Sequence, residues 1–210
     1  TLSIQGVEDK LLDEICDTVE KIANPSGKEI VARFVSGDVE ALKKCTPEIL
    51  EIAEKNIQKK LGTVYDFLEP YDKKWFIAAE CLCLAKVPLP EFSPVVMPAS
   101  KAFEGFSKKL LIHIELCSPD HFKTASSNFG ILNDIKDPKR IAICAKDKNI
   151  DTLLTRIGVC IKTNRHFLMH SDESVITKID TQEEAKNKVD NILKDVRDLF
   201  DTLNKIFKLV

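Results

Sequence analysis

Residues 181–207 read TQEEAKNKVDNILKDVRDLFDTLNKIF, and two features of this stretch decide the fold class. Thr181 with Glu184 three residues on is a capping box: the hydroxyl serves one unpaired backbone N–H and the carboxylate another. Behind it, Ala185, Val189, Ile192, Val196, Leu199, Leu203 and Ile206 alternate spacings of four and three, the period of a helix with one apolar face. The stretch predicts one long helix, lying either in the core of a helical bundle or in a dimer seam.

Working outward, Thr46-Pro47 pairs a hydroxyl N-cap with a Pro at the first helical position. The helix it starts is expected to run through Ile49, Ile52, Ala53, Ile57 and Leu61 toward Pro70, weakened at Gly62. YDKKWFIAAECLCLAK (71–86) reads as a helix nearly all apolar on its inner side, and VPLPEFSPVVMP (87–98), with four Pro, as an extended crossing segment. A further helix follows, with Phe103, Phe106, Leu110, Ile114 and Cys117 as its stripe. Residues 118–148 read as a loop with room for a short hairpin, and a helix resumes at Ile150. At the other end, TLSIQG (1–6) alternates like a strand but has no partner nearby, and the chain starts at Thr1 rather than Met. The expectation is therefore a fragment: residues 1–45 as the remnant of an upstream α/β domain plus linker, and 46–210 as a helical domain. The fold class is mainly α, with a short N-terminal β/α segment.

The composition narrows the function. With 210 residues, 44% hydrophobic and 30% charged, the chain is a globular protein with a sizeable core. Its net charge of −2 gives no global electrostatic case for nucleic acid, so any RNA contact must rest on a local patch. The seven Cys include no C-x-x-C pair, and an odd count set on apolar helix-like faces points to reduced thiols and a cytoplasmic protein. His113 and Cys117 stand one helical turn apart, but no second pair joins them, so they are assigned to the core and no metal or other cofactor is expected. No apolar run is long enough for a membrane span.

The chemistry concentrates in TNRHFLMHSDE (163–173). An Arg can neutralise a phosphate and the charge that builds on it in a transition state, and a His can move protons near neutral pH. Arg165, His166 and His170 supply that set. Arg165 and His170 are five apart, roughly 140° around an α-helix, so one helix aims them at one target only if the long Arg side chain curls round or a symmetric partner helix supplies the second half. The same residues also suit a solvated helix face, and the motif alone does not separate the two.

RHFLMH resembles the signature of HEPN ribonucleases: an Arg, a polar residue, three variable residues and a His. LSIQG, PLPEFSPVVMPASKAFEG and NRHFLMH also stand in the order and approximate spacing of the C-terminal part of the RNase LS (RnlA-like) toxin family. The resemblance implies a HEPN-type helical bundle, often dimeric, that cleaves RNA without a metal and receives a protein antitoxin in a toxin–antitoxin or anti-phage system. It implies His170 as general acid/base, Arg165 as phosphate clamp, His166 as an auxiliary donor, and Glu104 of the FEG triplet as the group that orients or balances the basic pair. The alternative is a non-catalytic helical module that docks an antitoxin or another protein through the apolar face of the last helix.

Overall fold

The computed structural model describes residues 26–34, 43–122, 129–166 and 178–209. The predicted N-terminal strand and first helix lie outside them. The described residues are mainly helical and contain no strand. In chain order the helices are α1 (Gly27–Phe34), α2 (Pro47–Leu61), the short α3 (Val64–Phe67), α4 (Pro70–Ala85), α5 (Ser93–His113), α6 (Pro138–Cys144), α7 (Ile150–Ile161) and α8 (Gln182–Phe207).

Helix α4 sits at the centre. From Trp75 to Ala85 only Ile77 and Leu84 escape full burial, and α1, α2, α5 and α8 all pack against it. A helix apolar all round has no face to give to solvent and must be enclosed. Ala78, Ala79, Cys81, Cys83 and Ala85 keep its surface low, so neighbours approach closely. Its Glu80 carboxylate, buried in mid-helix, is satisfied from α2 by Lys60 Nζ at 2.7 Å and Asn56 Nδ2 at 2.9 Å, and Asp190 of α8 accepts from the same Lys60 ammonium at 2.9 Å. Burial alone would pull Lys60 down. The hydrogen bonds of Glu80 and Asp190 outweigh it and hold the ammonium above its usual value.

The caps explain the boundaries. Thr46 Oγ1 accepts from Ile49 N–H at the start of α2, as predicted. That helix stops at Gly62, whose φ of 60° ends it earlier than the neighbourhood of Pro70. Thr181 and Glu184 form the predicted capping box of α8. Gln182 Nε2 donates to the Leu82 and Cys83 carbonyls and so serves the C-terminal end of α4. Ala185, Val189, Ile192, Val196, Leu199 and Leu203 are all buried within the chain's own core, so the apolar stripe of α8 belongs to the bundle rather than to an open seam.

Two expectations are corrected. The proline-rich segment is non-helical only up to Phe92. From Ser93 it is helical, because Pro94 occupies a first-turn position where no N–H is needed. Pro98 lies inside α5 and forgoes one helical hydrogen bond. Residues 118–148 hold no hairpin among those described. They hold two 3₁₀ turns (Pro119–Phe122 and Phe129–Leu132) and helix α6, capped by Asp137 through the Lys139 and Arg140 N–H groups. Helix α1, on the N-terminal side of the expected boundary at residue 46, places Ile30 and Val31 in the same core as α2–α8.

Replacing Thr181 by Ala is expected to cost about 1 kcal/mol of stability. Lys60→Met, which removes the ammonium from the buried Glu80 carboxylate, is expected to cost about 3 kcal/mol, the low end for a broken buried pair because Lys60 is partly exposed and Asn56 still donates to Glu80. Urea titrations of the two variants check both the sizes and their order.

Candidate functional site

Helix α7 faces the core with Ile150, Leu153, Leu154, Ile157, Cys160 and Ile161. Its next inward position, one helical step on, is Asn164, only 2% exposed. There the chain leaves α geometry: Lys162–His166 forms a π-turn, a register found mostly as single turns and often at functional sites. Arg165 and His166 lie on this turn. The turn packs against α7 and against α5, the helix that carries Glu104. His170 lies outside the described residues. The 140° separation expected between Arg165 and His170 does not apply at the Arg165 end, because a π-turn places successive residues at different angles from an α-helix.

Three groups of α8 and α7 fasten the residues just before Arg165. Asn164 Nδ2 donates to Asp195 Oδ2 at 2.9 Å, and Lys188 Nζ donates to the Thr163 carbonyl at 2.8 Å. Asp195 also faces Arg156 of α7 at 3.8 Å, and Arg156 reaches Asp198 at 3.4 Å. Partial burial lowers the Lys188 ammonium below its usual value, against the opposing pull of Asp195 and Cys160. Thr163 Oγ1 donates back to the Cys160 carbonyl at 3.3 Å.

Glu104 is 20% exposed at its side chain and pairs with Lys108 one turn on, at 2.7 Å. A carboxylate on a rim, rather than sealed in the core, can act on groups outside its own helix. The glycine after it has a packing reason of its own. A Cβ at Gly105 would overlap the buried Asp72 carboxylate of α4, with Asp72 Cγ at 2.6 Å. The FEG triplet therefore marks a close contact between the Asp72 side chain of α4 and the backbone of α5.

The His113–Cys117 pair does not hold together in the core. Helix α5 ends at His113, which is exposed, contacts the Lys109 carbonyl at 3.0 Å and meets the Phe67 ring edge-on, while Cys117 is buried. The helical spacing assumed for the two ends with the helix. Among the described residues no three His, Cys, Asp or Glu side chains gather to hold a metal ion. Burial pushes the Cys83 thiol up to about 12 and those of Cys117 and Cys160 up to about 11, so none of these three is a thiolate nucleophile near neutral pH. A cleft of about 380 Å³, bordered by Cys117, His121, Ile131, Asp134, Asp137 and Lys139, shares no residue with the Arg/His turn.

Asn164, Asp195 and Lys188 were not expected from sequence. The signal for Asn164 is a polar residue on the inward stripe of α7. Asp195 and Lys188 sit beside the core residues Val196 and Val189, where nothing in the periodicity singles them out.

The described residues thus form a helical domain with a basic π-turn held between α5, α7 and α8. A sequence model of the family described as "RNase LS, bacterial toxin DBD domain" matches residues 50–172, more than half of the chain. The chain belongs to this family. The matched region takes in Glu104, Arg165, His166 and His170. No curated protein matches the chain.

Gly105→Ala is expected to destabilise the chain by about 1–3 kcal/mol, as an overpacked contact between α4 and α5. A thermal melt that leaves the midpoint unchanged would show that the Asp72 side chain gives way at no cost.

Proposed function

We propose that this chain is the RNA-cleaving, HEPN-type part of an RNase LS toxin. The observation that carries the reading is the basic turn itself. Inside the region that matches the toxin family, the segment bearing Arg165 and His166 departs from α-helix and seats against the helix bearing Glu104. Departures of this kind cost hydrogen-bond geometry and persist where the surroundings enforce them.

The chemistry follows from the side chains. Arg165 neutralises a phosphodiester and the additional charge of its transition state. His170 takes the proton from the attacking oxygen or returns one to the leaving oxygen. His166 adds a donor to the phosphate, and Glu104 balances the charge of the basic pair. With the RNA 2′-OH as nucleophile, the P–O5′ bond breaks as the new P–O2′ bond forms, leaving a 2′,3′-cyclic phosphate and a 5′-hydroxyl. DNA lacks that nucleophile and is not a substrate. Neutralisation by Arg and proton transfer by His supply the reaction's needs without a metal. A second copy of the chain completes the site, and a protein antitoxin binds the same domain.

Purified chain is expected to cut an RNA oligonucleotide to products with cyclic-phosphate ends, with or without chelator. His170→Ala is expected to lower the rate by about 10²–10⁴-fold, the range for loss of a general acid/base. Cleavage of the matching DNA, a requirement for divalent ions, or full activity in His170→Ala would overturn the mechanism. An oligonucleotide neither bound nor cut by the wild-type chain would favour a non-catalytic module that docks a protein. That reading draws on Ile141 and Val159, exposed to 56% and 54% on the adjacent helices α6 and α7.

A further inference from the structure

The Asn164–Asp195 contact is more than the cap of a helix end. Asn164 occupies an inward position that Ile or Leu would fill with greater apolar burial. A buried amide costs free energy unless it is paired, so its presence there marks a demand for a particular geometry. That geometry comes from a distant helix: Asp195 is 31 residues away in the chain, and its carboxylate meets the amide at 2.9 Å. Lys188 of the same helix takes the Thr163 carbonyl, so two consecutive residues are held from α8 immediately before Arg165. The π-turn gives this hold a purpose. Relaxation to α-helix shifts the register by one residue, which swings a side chain by about 100° around the axis.

Resting on the reading of the chain as an RNA-cleaving toxin, we infer that Asn164 and Asp195 are positioning residues whose buried amide–carboxylate contact sets the register of the turn that carries Arg165. Neither touches the substrate. They act through Arg165, and Arg156 pairs with the Asp195 carboxylate at 3.8 Å from α7.

The test exchanges the two groups in the full chain. Asn164→Asp sets two carboxylates face to face, and Asp195→Asn in the same chain restores one amide opposite one carboxylate. Three readouts are needed: kcat and KM for an RNA oligonucleotide, the circular-dichroism melt, and hydrogen exchange of the peptide spanning 160–170. Asn164→Asp is expected to lower kcat by about 10²-fold, the scale of an ångström-sized misplacement, with KM nearly unchanged and exchange faster. The double variant N164D/D195N is expected to recover most of both. If Asn164→Asp does not fold, Asn164→Ser withdraws the amide without adding a charge and serves the same comparison.

A folded Asn164→Asp with wild-type kcat overturns the inference, as does a double variant no better than the single one. The two failures separate cleanly. A wild-type chain that does not cut RNA overturns the proposed function, and hydrogen exchange still decides whether the pair holds the turn. A wild-type chain that cuts, beside a folded variant that cuts equally well, overturns only the positioning role.

Discussion

The constraint on which the structure depends is the enclosure of α4. A helix with apolar residues on every side cannot lie on a surface, so the remaining helices must surround it. Its small residues determine how near they come, and at Gly105 the approach leaves no room for a methyl group. The Glu80 carboxylate that α4 carries inward draws Lys60 and Asn56 of α2 toward one point and, through Lys60, Asp190 of α8, tying α2 and α8 to the same axis. A hydrophobic requirement thus brings the helices together, and a satisfied polar network defines how they align.

The candidate site inherits this arrangement. Helix α8 is clamped at its start by the capping box and by Gln182 on the end of α4, and along its length by buried apolar residues. It is therefore a stiff rail from which Asp195 and Lys188 can reach the π-turn. Helix α5 is fixed against α4 by close contact, which settles where Glu104 stands. Arg165, His166 and Glu104 belong to segments anchored independently to one core, the usual way to hold a reactive geometry on rigid elements.

Much of the fold was legible because its signals are local. A hydroxyl three residues before a carboxylate, or before a Pro, caps a helix whatever the tertiary setting, and Thr46 and Thr181 both do so. The proline-rich segment reads as extended because Pro disfavours helix, yet Pro94 stands where the first turn has N–H groups to spare and Pro98 is accommodated inside α5 at the loss of one hydrogen bond. Asp137-Pro138 carries the same start signal, hidden among the mixed residues of 118–148. The site was legible as residue types and not as geometry. Arg165 and His166 stand out as chemistry, but a π-turn has no sequence period, and its supports come from α8. A contact between residues 164 and 195 leaves no mark on either local pattern.

The family match ends at residue 172, before α8 begins. Yet Leu193, Leu199, Phe200 and Leu203 of that helix are buried in the common core, and Phe200 lies against Phe67 with ring centroids 5.1 Å apart. What is recognisable as a relative and what is able to fold are therefore different lengths of chain. A piece cut at the limit of the likeness would expose the flank of α5, leave the end of α4 without Gln182, and lose both groups that grip the basic turn. Stability and likeness have separate borders here, and the longer one must be kept for the shorter one to have a shape.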